Sequence, residues 1–147
     1  MFPPRLDRAD SFNQLLFARI LRGELPCAKV HEDADTLAFM DIMPRCDGHA
    51  LVIPKTPARN ILDASPAQLA ACIATVQKIA QAQMKAFGAG GITIQQFNEP
   101  AGGQDVFHLH FHVMPRHEGV TLKPHTGKMA DATVLAANAA KIKAALV

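Results

Sequence analysis

The stretch GGQDVFHLHFHVMPR, residues 102–116, sets His108, His110 and His112 at every second position of an apolar run, with Leu109, Phe111 and Val113 between and after them. Successive side chains on a β-strand point to opposite faces. The spacing therefore predicts a strand over Val106–Pro115 with three imidazoles on one face and three apolar side chains on the other. The apolar face is expected to pack on a helix, which would hold the backbone rigid beneath a row of ring nitrogens.

Other segments of the chain supply the helix and the remaining strands. Ser65 before Pro66 is an N-cap followed by proline at the first helical position. It opens a helix expected to run to Phe87 and stop at GAGG, with Leu69, Cys72, Ile73, Val76, Ile79 and Ala80 as its apolar stripe. A shorter helix is expected from a cap at Ser11 through Arg22, ending at Gly23. AKVHED and TLAFMDI read as two strands joined by a DAD turn, spanning Val30–Met40, and GHALVIPK as a third over His49–Pro54. GITIQQFN reads as a fourth over Gly91–Asn98, and an Ala-rich helix is expected over Ala130–Leu146. Short connections within each group of strands favour an antiparallel sheet, giving an α+β fold of one domain over 1–147.

Hydrophobic residues make up 49% of the 147 residues and charged residues 19%, the balance of a chain that folds around a core. A net charge of +2 is too small to argue for nucleic acid or an anionic membrane. No apolar run approaches the roughly 20 residues of a membrane-spanning helix, and MFPPRLDRADSF lacks the apolar core of a signal peptide. A cytoplasmic protein is the expectation. Cys27, Cys46 and Cys72 form no C-x-x-C pair and read as reduced, packed thiols.

The histidine row admits three readings. The residues are ordinary surface or half-buried histidines; or two of them, with His49 or Asp105, hold a metal; or the central imidazole is a nucleophile served by its neighbours. Same-face neighbours on a strand lie ~6.5–7 Å apart and the outer pair ~13 Å apart, so three histidines cannot share one ion with zinc–nitrogen bonds of about 2.0–2.1 Å. A neutral imidazole is a nucleophile near neutral pH and can carry a nucleotidyl group. Gly102 and Gly103 permit a tight turn whose N–H groups could line an anion site.

The run HLHFHVM resembles the signature of the histidine-triad family of nucleotide hydrolases and transferases. RGELPCAKVHEDADTLAFMDIMPRCDGHALVIPK (22–55) is similar to that family's N-terminal half, and FNEPAGGQDVFHLHFHVMPR (97–116) to its C-terminal half. The resemblance covers about residues 17–116, leaving 117–147 as an extension it does not assign. It implies a five-stranded antiparallel sheet with a long and a short helix, paired into a homodimer.

By that resemblance His110 is the nucleophile on the α-phosphorus and His112 contacts the α-phosphate, while His108 and His49 complete the polar network. Asp41 holds the ribose hydroxyls and Ile42 lines the base pocket. Asn98, Gly103, Gln104, Asp105 and Val106 surround the phosphates and leaving group. The implied reaction is metal-independent hydrolysis of a purine nucleotide derivative through a covalent nucleotidyl-histidine, with no cofactor. A nucleoside phosphoramidase releasing AMP is the first expectation and a dinucleoside polyphosphate hydrolase the second; a nucleotide-binding module with little catalysis is the alternative of another class. Two departures stand out. Leu15, Ala18 and Pro57 occupy positions where many members carry zinc ligands, so no structural zinc is expected. Asp105 replaces a Ser or Thr near the leaving group, where a carboxylate would disfavour an anionic leaving group.

Overall fold

A computed structural model describes residues 16–124 and 128–146. Ser11, the expected cap of the first helix, and Leu15 lie outside them. Residues 16–21 are helical (α1) and end at Gly23 with φ 76°. The strands are β1 (Lys29–Glu32), β2 (Thr36–Met40), β3 (Ala50–Pro54), β4 (Gly91–Gln95) and β5 (Phe111–Arg116), with α2 (Pro66–Phe87) between β3 and β4 and α3 (Ala132–Ala145) last. All pairings are antiparallel, in the order β1-β2-β3-β5-β4, so the chain has the expected α+β architecture.

β2 and β3 are buried along their whole length because both faces of the sheet are covered. On one face Ala38, Met40, Ala50, Val52, Leu109, Phe111 and Val113 pack with Cys72, Val76 and Ile79 of α2 and Leu135, Ala139 and Ile142 of α3. On the other, Leu37, Phe39, Leu51 and Ile53 pack with Phe17 of α1. The alternation of Leu109, Phe111 and Val113 thus does what its period predicts: it points into the helix-covered core.

Sequence and structure part company where the strand was expected to begin. The ladder of β5 starts at Phe111, so His112 is on the strand and His108 and His110 precede it. The reason lies in β3, which ends at Pro54, a residue with no N–H to donate. Leu109 N–H instead donates to Ala58 O (2.8 Å) and the His108 ring meets the Pro54 carbonyl. β4 stops at Gln95 rather than Asn98, because Gln96 and Asn98 hydrogen-bond each other through their side chains.

The long helix begins with a full capping box, Ser65 accepting from Gln68 N–H while the Gln68 carboxamide accepts from Ser65 N–H. It closes at Gly88, φ 57°. Ile73, assigned above to its apolar stripe, is 51% exposed; Thr75 and Gln83 are buried instead. The stripe is rotated toward them because both have polar partners inside. Thr75 Oγ1 meets Thr36 Oγ1 (2.7 Å), and Gln83 donates to the carbonyls of Gly48 and Val113 (both 2.9 Å). α3 is capped by Asp131 and begins at Ala132, two residues after the expected start.

Gly48 fixes how β3 enters the sheet. It sits at φ +85°, and an added Cβ would lie 2.5 Å from Cε2 of the Phe87 ring. Gly48→Ala combines left-handed strain with overpacking and is expected to destabilise the fold by about 2–4 kcal/mol, measured as a lowered denaturant midpoint.

Candidate active site

The carbonyl groups around the histidines determine which nitrogen of each ring carries a proton. A carbonyl only accepts. His108 Nε2–H therefore donates to Pro54 O (2.9 Å), and His110 Nδ1–H donates to His108 O (2.7 Å). In neutral His110 this leaves the lone pair on Nε2. The bond is local to the irregular lead-in, which could not form it if 108–110 were extended in the ladder.

A second chain of bonds orients His112. Arg45 N–H donates to His49 Nδ1 (3.0 Å), so the proton of His49 sits on Nε2 and is shared with His112 Nδ1 at 2.9 Å. His112 accepts there and carries its own proton on Nε2. Asp41 Oδ2 flanks this contact, 3.5 Å from His49 Nε2 and 3.9 Å from His112 Nδ1. The rings form a contiguous stack of edges: His110 to His112 at 5.0 Å, His49 to His112 at 5.1 Å, Phe97 to His112 at 5.7 Å and Phe17 to His110 at 5.2 Å. All four expected catalytic histidines are buried and mutually in reach.

Asp41, His49 and His112 also offer three atoms within 4.8 Å of one another, the group of the described residues that could hold a metal. The two ring nitrogens face each other at 2.9 Å, the separation of a direct N–H···N hydrogen bond. The geometry is that of a hydrogen-bond relay.

Burial pushes the Asp41 carboxyl up to about 6; the Met43 N–H on its Oδ1 (2.9 Å) opposes this, and the charge of Asp105 adds to the rise. Burial also lowers the pKa of His108, against its bond to Pro54 O. Asp105 is exposed, yet near enough to Asp41 for the two carboxylates to repel.

The remaining expected residues have the following surroundings. Ile42 is 43% exposed and lines an apolar cavity of about 580 Å³ with Leu16, Phe17, Ile20 and Phe39. Phe17 is shared between that cavity and the His108 and His110 rings. Gly103 takes φ +94°, and a Cβ there would meet Phe97 Cδ1 at 3.3 Å. Val106 packs beneath the site against the α1-side cluster. Asn98 Oδ1 accepts from Ile61 N–H (2.9 Å). The Gln104 carboxamide is used within its own loop, accepting from Glu99 N–H and Asn60 Nδ2 and donating to the Arg59 and Val106 carbonyls. Phe17 and Phe97 escaped the sequence reading because each reaches the histidines only through the fold; no local pattern marks them.

The HIT domain model matches residues 22–119. The chain is 39% identical over 101 residues to adenosine 5'-monophosphoramidase hnt1 of Schizosaccharomyces pombe, covering 69% of this chain and 73% of that protein. It is 38% identical over 106 residues to adenylylsulfatase HINT3 of Arabidopsis thaliana, covering 72% of this chain but only 54% of that protein. Among solved structures, a Hit-like protein involved in cell-cycle regulation from Bartonella henselae matches with a TM-score of 0.86 and 53% identity, over 89% of this chain and 95% of that one.

The raised carboxyl of Asp41 has a stability consequence of definite sign. A folded-state pKa above the unfolded value near 3.8 means the folded protein binds the extra proton between about pH 4 and 6, so stability falls as pH rises through that window. Asp41→Asn is expected to stabilise the fold at pH 7–8 by about 2–3 kcal/mol at most, seen as a raised melting temperature, with the difference from wild type closing toward pH 4. Thermal melts of both proteins across pH 4–8 check this.

Proposed function

The chain belongs to the HIT-domain family, and from that premise we propose that it is a nucleotide hydrolase of the nucleoside phosphoramidase type, cleaving adenylyl phosphoramidates to AMP. The observation that carries the reading is the His110 tether, since a ring held through Nδ1 presents Nε2 as the nucleophile. Nε2 attacks the α-phosphorus, the P–N bond to the leaving amine breaks, and the amine departs with a proton taken from solvent, which the water of the second step gives back. Water then attacks the nucleotidyl-histidine, the P–N bond to His110 breaks, and AMP is released. His112 Nε2–H stabilises the phosphoryl oxygens in both steps, held by His49 and in turn by the Arg45 main chain. Donors fixed before charge develops are the largest single source of rate enhancement in such sites.

Support for a nucleotide comes from the layout around the histidines. The cavity lined by Ile42 and Phe17 suits a flat apolar base, and Asp41 stands between that cavity and His112, where a carboxylate can accept from ribose hydroxyls. Asn98, Gly103, Gln104, Asp105 and Val106 frame the leaving-group side, with Gln104 acting through the shape of the loop. The carboxylate of Asp105 on that side disfavours a polyphosphate and favours an amine. The named activity of the fission yeast relative points the same way. No step needs a metal. The protein acts in the cytoplasm as a homodimer joined through the edge strand β4, whose Ile94 is 51% exposed.

The test is steady-state hydrolysis of an adenosine phosphoramidate and of diadenosine polyphosphate, in excess chelator, by wild type and His110→Ala. The expected outcome is phosphoramidate turnover that falls at least about a thousandfold in the variant while nucleotide binding persists. Preference for the dinucleotide would transfer the reading to a polyphosphate hydrolase. Turnover surviving the substitution would sink the mechanism.

A further inference from the structure

Glu99 is the one non-glycine residue with positive φ among the described residues, at φ 65° and ψ 160°. That region is essentially reserved for glycine, and residues held there persist only where their surroundings over-determine them. Pro100 follows directly, and a residue before proline is normally driven to extended backbone with negative φ. What holds Glu99 is a network of four side chains. Arg59 grips its carboxylate in a two-pronged pair (Nε to Oε2 2.7 Å, a second guanidinium nitrogen to Oε1 3.1 Å) while its guanidinium lies 4.2 Å over the Phe107 ring. Asn60 Nδ2 donates to Oε2 (2.6 Å), and Gln104 Oε1 accepts from Glu99 N–H (2.8 Å) and from Asn60 Nδ2 (3.0 Å). Gln104 Nε2 then reaches Arg59 O (2.8 Å) and Val106 O (3.0 Å), closing the circuit at the residues that lead into His108 and His110.

We propose that Arg59, Asn60, Glu99 and Gln104 form a positioning network that uses the strained Glu99 backbone to set the Gly103–Val106 loop against the leaving group of the α-phosphate. This rests on the nucleotide-hydrolase reading above. None of the four touches the reacting atoms; they act through the loop. The network ties two segments, 59–60 and 99–106, that share no ladder bond, so the loop's shape is set by side chains and not by the sheet. Glu99 is ionised throughout the working range because the Arg59 guanidinium beside it lowers its carboxyl pKa.

Glu99→Gly separates this role from a structural one, since glycine adopts the same backbone without strain but lets go of Arg59 and Asn60. The experiment measures kcat, KM and melting temperature on an adenosine phosphoramidate for wild type, Glu99→Gly, Glu99→Gln and Arg59→Met. The expected result is a kcat lowered about tenfold or more in Glu99→Gly and Arg59→Met, with KM within about twofold and melting temperatures close to wild type, because a loop displaced by less than about 1 Å can cost up to 10²-fold. Glu99→Gln, which keeps an acceptor for Asn60, recovers part of the loss. Wild-type kcat in Glu99→Gly overturns the inference, as does a kcat that falls only in step with the melting temperature. A folded wild type that cleaves no adenylyl substrate overturns the functional reading itself, whereas an active wild type with unaffected variants overturns only the role of the network.

Discussion

The pairing of Ala50–Val52 with Phe111–Val113 is the contact on which everything else in the molecule rests. Only three residue pairs long, it joins strands more than fifty residues apart in the chain and brings β1 and β2 into one sheet with β4. It also fixes the contact between two of the histidines. His49 stands just before β3 and His112 sits within β5, so the register that aligns Ala50 with Val113 brings their ring nitrogens to 2.9 Å. Closing so long a loop costs entropy that local contacts cannot return. The cost is met by burying both faces of β3, with α2 on one side and α1 on the other.

From the far side of the sheet, α2 reinforces this pairing at the point where it runs out. Gln83 donates to the carbonyls of Gly48 and Val113, the neighbours of His49 and His112, and Phe87 fills the space that a side chain on Gly48 would need. The Oε1 of Gln83 is buried with no hydrogen-bond partner. An apolar side chain there would avoid that orphaned acceptor but leave two carbonyls unserved. The helix that packs the core is thus also the clamp on the strand ends that carry the histidines.

How much of this could be read from the chain depends on the range over which each signal acts. The period of two in LHFHV is local, and it assigned Leu109, Phe111 and Val113 to the core correctly. Ser65-Pro66 and Gly88 bracketed α2 because capping is decided within one turn. Pro54 was legible as the end of β3, but its effect on the opposite strand was not: removing a donor from one strand ends the ladder on the other, which is why His108 and His110 lie outside β5. Ile73 was misassigned because helical periodicity counts apolarity, and the burial of Thr75 and Gln83 depends on partners in β2, β3 and β5. The resemblance named the histidines, Asp41 and the 98–106 loop, yet Arg59, Asn60 and Phe17 carry no local signature and meet the site only after folding. The Glu99-Pro100 pair held a clue in the conflict between its residues and the turn they make, legible only once the backbone angles are known.

The carbonyl that orients His110 has a consequence of its own. Many catalytic imidazoles are steered by a carboxylate, which titrates, draws counter-ions and weakens in salt. A peptide oxygen has no protonation equilibrium and no net charge. The facing of the His110 ring is accordingly independent of acidity and ionic strength for as long as the backbone at His108 keeps its place, and turning the ring over would cost the bond at Nδ1. The chain thereby separates two tasks often vested in one residue: the main chain decides which nitrogen looks outward, and ionisable side chains are left to respond to the medium.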